Sequence, residues 1–66
     1  MTLTLNGEKK DIQDNLTVEG LLRNLEIEPA RVAVEVNLNI IKKNDFHTCV
    51  LKDGDKVEIV NFVGGG

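Results

Sequence analysis

The chain has 66 residues, enough for one small domain and no more. At 41% hydrophobic and 29% charged it has the composition of a globular domain, not of a disordered segment. The net charge is −3, and the eight lysines and arginines are scattered, which argues against a nucleic-acid footprint and favours a partner with a basic face.

No stretch approaches the roughly 18 apolar residues of a membrane span. The start, Met1-Thr2-Leu3-Thr4, has no signal-peptide pattern. The single cysteine, Cys49, excludes an internal disulfide framework and a cysteine-built zinc site, and suits a reducing, cytoplasmic setting. A chain this short buries only about 60% of the surface its unfolded form exposes. A walled catalytic cleft is therefore not expected, and a partner would supply any pocket.

Leu3 and Leu5 alternate with Thr2, Thr4 and Asn6, the period of a half-buried strand. Asn6-Gly7 forms the favoured two-residue hairpin turn, since both residues tolerate positive φ. A polar edge strand is expected over residues 8–13, with Glu8, Lys10 and Ile12 paired against the first. Thr17 is the expected N-cap of a helix over residues 18–26, whose apolar face is Val18, Leu21, Leu22 and Leu25. Gly20 weakens that helix, so packing is expected to hold it. Pro29 closes the segment.

Val32, Val34 and Val36 alternate with Ala33 and Glu35, the third strand. Asn37-Leu38-Asn39 reads as a turn, and Ile40-Ile41 starts a short strand ending near Lys42-Lys43. Asn44-Asp45 opens a single helical turn, and Val50-Leu51 is expected to pack inward. Asp53-Gly54-Asp55 is a turn before the last strand, Lys56 to Phe62. One helix covers only one sheet face, so this is an α+β two-layer domain whose other face meets solvent or a partner.

Little else in the chain carries chemistry. His47 lacks the neighbours of a metal site. On a strand, His47 and Cys49 would share a face but have no third group to orient them, so Cys49 reads as a small, partly buried hydrophobe. The unusual feature is the ending, Val63-Gly64-Gly65-Gly66, which holds half of the six glycines directly after an apolar strand. Extended, residues 63–66 reach about 13 Å at roughly 3.3–3.6 Å per residue. A string without side chains can thread a narrow channel and deliver its terminal carboxylate, ionised at neutral pH, to an activated phosphate. The plain alternative is a frayed terminus. Ordering the glycines costs free energy, which a docking surface elsewhere must offset. If Glu58 faces water, Val60 and Phe62 share its face and supply that surface. Alternatively, Phe62 folds over the edge of the core.

These residues resemble the ThiS family of sulfur carriers in thiamine biosynthesis. The resemblance spans the chain and rests on Leu3-Thr4-Leu5-Asn6-Gly7, Val32-Ala33-Val34-Glu35-Val36-Asn37, the stretch from Leu51 to Val60, and Val63-Gly64-Gly65-Gly66. It implies a ubiquitin-like β-grasp domain over 1–62, with a mixed four- to five-stranded sheet, first and last strands adjacent, and a glycine tail over 63–66. It also implies a cosubstrate, not an enzyme, that binds no cofactor itself. A ThiF-type adenylating enzyme using ATP and magnesium would activate Gly66, a sulfur donor enzyme would convert it to a thiocarboxylate, and the thiazole synthase ThiG would take the sulfur. Val63, Gly64 and Gly65 would be the tail, and Glu58, Val60 and Phe62 the partner-binding surface. A third glycine leaves open modification at Gly65 after trimming. The rival readings are a MoaD-like small subunit of molybdopterin synthase, a ubiquitin-like protein modifier, and a β-grasp binding module with an idle tail.

Overall fold

The computed structural model describes residues 1–62. Along β1 (Thr2–Leu5) the leucines point into the core while the threonines face outward, as the alternation dictates. Asn6 and Gly7 take φ of 49° and 85°, turning the chain into β2 (Glu8–Asp11), which is exposed throughout. β2 pairs antiparallel with β1, Leu5 opposite Glu8 and Leu3 opposite Lys10. The strand ends at Asp11, two residues short of the expected end. The chain stays attached nonetheless, because the amide of Ile12 donates to the carbonyl of Met1.

Helix α1 spans Val18–Asn24, capped by the Thr17 hydroxyl, which accepts from the Gly20 amide at 3.0 Å. Val18, Leu21 and Leu22 are buried against the sheet, with Leu25 half-buried beside them. The helix stops before the expected residue 26. Glu26 turns left-handed (φ 59°), its amide bonds to the Arg23 carbonyl, and the Ile27 amide bonds to the Leu22 carbonyl. That is a Schellman stop, and it acts before Pro29 is reached. Pro29 instead begins a 3₁₀ turn, Pro29–Arg31. A Cβ at Gly20 would lie 2.9 Å from Leu16 Cδ2, the far end of a side chain that would have to turn aside.

Strand β3 (Val32–Val36) buries its three valines, and β4 (Asn39–Ile41) returns antiparallel beside it. Asn37 and Leu38 form the hinge, both at positive φ, so Asn39 belongs to the strand and not to the turn. A 3₁₀ turn, Lys43–Asp45, leads to Phe46, the one buried aromatic among the described residues. Leu51 packs inward as expected, but Val50 is exposed. The reason is a single antiparallel bridge between Val50 and Thr17, which puts successive side chains on opposite sides. Gly54 turns at φ 88° into β5 (Lys56–Asn61).

The five strands run in the order β2-β1-β5-β3-β4. β5 is central, parallel to β1 (Thr4 opposite Lys56) and antiparallel to β3 (Glu35 opposite Glu58). This mixed sheet under one helix is the expected β-grasp form of the α+β class, with first and last strands side by side. One face of the sheet is sealed by α1, and the other is open. No helix among the described residues is long and apolar enough to cross a membrane.

Candidate functional site: the end of the central strand and the open sheet face

The residues that position β5 are two asparagines, each in the left-handed region of a hairpin turn. Past the end of β1, the side chain of Asn6 bonds to Ile59 twice: Nδ2 donates to its carbonyl at 3.2 Å, and Oδ1 accepts from its amide at 2.8 Å. Asn37 holds the strand's start, accepting from the Lys56 amide at 3.0 Å and donating to the carboxylate Oδ1 of Asp55 at 3.0 Å. Side-chain amides thus continue the ladder where the neighbouring strands turn away. Asp53 and Asp55 are turn formers, as expected: Asp53 Oδ1 accepts from the Thr2 amide and Asp55 Oδ2 from the Lys52 amide.

At the far end, the Phe62 amide still donates to the Arg31 carbonyl at 3.2 Å, one residue beyond the strand. Its ring lies under the Lys43 ammonium, 4.8 Å from Nζ, while the same Nζ donates to the Val32 carbonyl at 2.9 Å and stands 5.8 Å from the Phe46 ring. Phe62 is still 57% exposed, as is Val60, and Glu58 is exposed beside them. The three predicted partner-binding residues therefore emerge in a row along β5, from Glu58 in mid-strand to Phe62 just past its end. Lys43 was not legible as their neighbour, because only the path of residues 42–46 around the sheet edge brings it there. Val63, Gly64, Gly65 and Gly66 lie outside the described residues.

His47 and Cys49 occupy a turn, not a strand, so the expected shared face does not exist: His47 is exposed and Cys49 half-buried. Burial, followed by the charges of Asp55 and Asp45, pushes the Cys49 thiol above its ordinary value. A thiol raised in the fold favours the native state below the unfolded value, and that contribution is lost as pH rises through the folded one. A maleimide should therefore label Cys49 more slowly at pH 8 in the native protein than in urea; equal rates would contradict the burial argument. No group of three or more metal-ligating side chains occurs among the described residues. A surface hollow of about 610 Å³ lies beside the end of α1 near Glu19, Arg23 and Glu26.

This architecture has close counterparts. The chain matches the model of the ThiS family over residues 3–66. It belongs to that family. It is 45% identical over 67 residues to the sulfur carrier protein ThiS of Bacillus subtilis, covering 97% of this chain and 98% of that one. The crystal structure of a thiamine biosynthesis protein, ThiS, from Geobacter metallireducens superposes with a TM-score of 0.87 at 36% identity, and each chain is covered in full. A thiazole synthase from Paramagnetospirillum magneticum is 46% identical over 66 residues. There the match takes in all of this chain but only a fifth of the relative, so the chain spans a small part of the synthase's length.

Proposed function

We propose that the chain is a sulfur carrier of thiamine biosynthesis, a cosubstrate whose terminal Gly66 carboxylate is adenylated and then converted to a thiocarboxylate. The observation that carries this reading is family membership through residue 66 combined with a glycine ending rooted on the central strand. Family, fold and ending point the same way.

The chemistry follows from the weakness of a carboxylate as an electrophile. Attack of the Gly66 carboxylate on the α-phosphate of ATP releases pyrophosphate and leaves a mixed anhydride with AMP. Sulfide-level sulfur released by a donor enzyme then adds at the carbonyl carbon and AMP departs, which leaves the thiocarboxylate with no change of oxidation state. Two anions must meet in the first step, so the stabilising cations, magnesium included, belong to the activating enzyme. The likeness of the chain to part of a thiazole synthase supports that enzyme as the acceptor of the sulfur. In this reading Val63, Gly64 and Gly65 form the thread, and Glu58, Val60 and Phe62 form the docking edge. Intact mass of the protein recovered from cells tests it. Replacement of one oxygen by sulfur is the expected result; covalent ladders would indicate a modifier instead.

The docking edge has its own test. Phe62→Ala, or Val60→Asp, should weaken binding to the activating enzyme by about tenfold, the loss of ~1.4 kcal/mol. Both side chains are more than half exposed, so the melting temperature should hold. An unchanged affinity in a titration removes this edge from the account.

A further inference from the structure

The ladder between β3 and β4 pairs Val36 with Asn39, Glu35 with Ile40 and Val34 with Ile41. Continued in the same register, it would bring Val32 opposite Lys43. The chain turns instead into the 3₁₀ segment Lys43–Asp45. A strand that loses its neighbour leaves a carbonyl in need of a donor. Lys43 supplies one to the very residue it would have faced, its Nζ donating to the Val32 carbonyl at 2.9 Å. Val32 in turn stands opposite Asn61, the last residue of β5, and the Phe62 amide donates to the adjoining Arg31 carbonyl. The lysine thus braces the sheet at the end where the sequence runs on to residues 63–66.

The brace starts from a fixed point. The Lys43 carbonyl accepts from the Phe46 amide at 3.1 Å, and Phe46 is buried in the core. The ammonium is in none of the ion pairs among the described residues, which join Met1 to Asp14, Lys10 to Glu8 and Arg23 to Glu19. Its charge is spent on a ring, 4.8 Å from the centroid of Phe62. Such an attraction strengthens as water leaves the contact. Phe62 is 57% exposed, so the cation orients a ring that burial does not.

We propose that Lys43 is a positioning residue for the reaction at Gly66: anchored on the Val32 carbonyl, it holds the Phe62 ring and so sets the direction in which the glycine tail leaves the sheet. The inference rests on the carrier reading, and it adds a residue that acts through Phe62 and not on the nucleotide. Leverage is the physical reason. Four residues beyond Phe62 span about 13 Å, so a swing of about 20° at the root displaces the terminal carboxylate by about 4–5 Å. The glycines absorb that error only by sampling more conformations, which raises the entropy lost when they are ordered. A root already aimed lowers that cost on binding and leaves the chemical step alone. Loss of the brace is therefore read in KM for the chain and not in kcat.

The test measures ATP–pyrophosphate exchange by the purified activating enzyme against the concentration of the full chain, beside amide hydrogen exchange of the free protein. Lys43→Met keeps the length and removes both charge and donor. It should raise KM roughly fivefold with kcat unchanged. In the free protein the Phe62 amide should exchange several-fold faster, while the Leu21 amide, bonded to the Thr17 carbonyl, stays as it was. Lys43→Arg should restore both readouts, because a guanidinium also donates to a carbonyl and stacks on a ring. In a Phe62→Ala background Lys43→Met should add nothing. An unchanged KM, a fall in kcat or a failed rescue by arginine overturns the proposal. So does an equal further loss in the Phe62→Ala background, the mark of direct contact with the enzyme, and so does a Phe62 amide unprotected in the wild type. A wild-type chain that supports no exchange sinks the carrier reading and the proposal together. A normal wild-type rate without coupling between Lys43 and Phe62 sinks the positioning role alone.

Discussion

Deleting Gly65 and Gly66 abolishes ATP–pyrophosphate exchange by the activating enzyme while the domain keeps its melting temperature. The expected loss is complete, because two residues account for about 7 Å of reach at roughly 3.3–3.6 Å per residue, and no carboxylate then arrives at the nucleotide. Proximity effects in catalysis fall steeply with misplacement: about 1 Å can cost on the order of a hundredfold. The fold is expected to be indifferent. Among the described residues, every buried side chain of the core lies between Leu3 and Val57, and the last described backbone bond is that of Phe62 to Arg31. Exchange at a normal rate from the shortened chain would refute the assignment of the reacting group. A lowered melting temperature would instead show that the glycines belong to the folded unit.

Phe46→Ala is the second large effect, and it acts on stability alone. Phe46 is buried among the core residues, and its carbonyl accepts from the Glu19 amide in the first turn of α1. It is therefore the pin that fastens residues 43–51 under the helix. Replacing a buried phenylalanine by alanine costs about 3–5 kcal/mol. A chain of this size has only about 3–10 kcal/mol of net stability, at roughly 0.05–0.15 kcal/mol per residue. The variant should be partly unfolded at room temperature, with a urea midpoint near zero or too low to define a native baseline. A midpoint within a few tenths molar of wild type would show that the cavity collapses, and that residues 43–51 are held chiefly by their backbone bonds. Phe62→Ala is the internal contrast: the same deletion at an exposed site should leave the midpoint in place.

The two phenylalanines show how far composition alone reaches. Nothing in the local sequence says that Phe46 is core. Residues 44–51 carry no clean period, and the phenylalanine there is drawn inward by the turn that packs it against α1. Phe62 lies one step past a strand whose alternation does predict an outward face. Where a period ran for four or five residues, as in Val32–Val36 and Thr2–Leu5, the reading was secure, because each strand has one buried face and a slip of one residue would bury its polar set. Val50 failed for the converse reason. A single long-range bridge to Thr17, not any local pattern, decides which way it points. The helix end failed as well: Pro29 is a visible stop, but the chain stops earlier through a left-handed glutamate that no propensity favours.

By itself, the amino-acid order determined the hairpin at Asn6-Gly7, the apolar face of the helix, the alternation of the two strands that flank the centre of the sheet, and the glycine ending. All of these depend on neighbours within about a turn or a strand of each other, where side-chain spacing maps directly onto geometry. Only the tertiary structure decided that Glu35 meets Glu58, that Lys43 covers Phe62, and that Asn6 and Asn37 grip the central strand from its two sides. Those contacts join residues far apart in the chain, and their register is chosen by the burial of the whole sheet beneath one helix, a cooperative free energy that no local window contains.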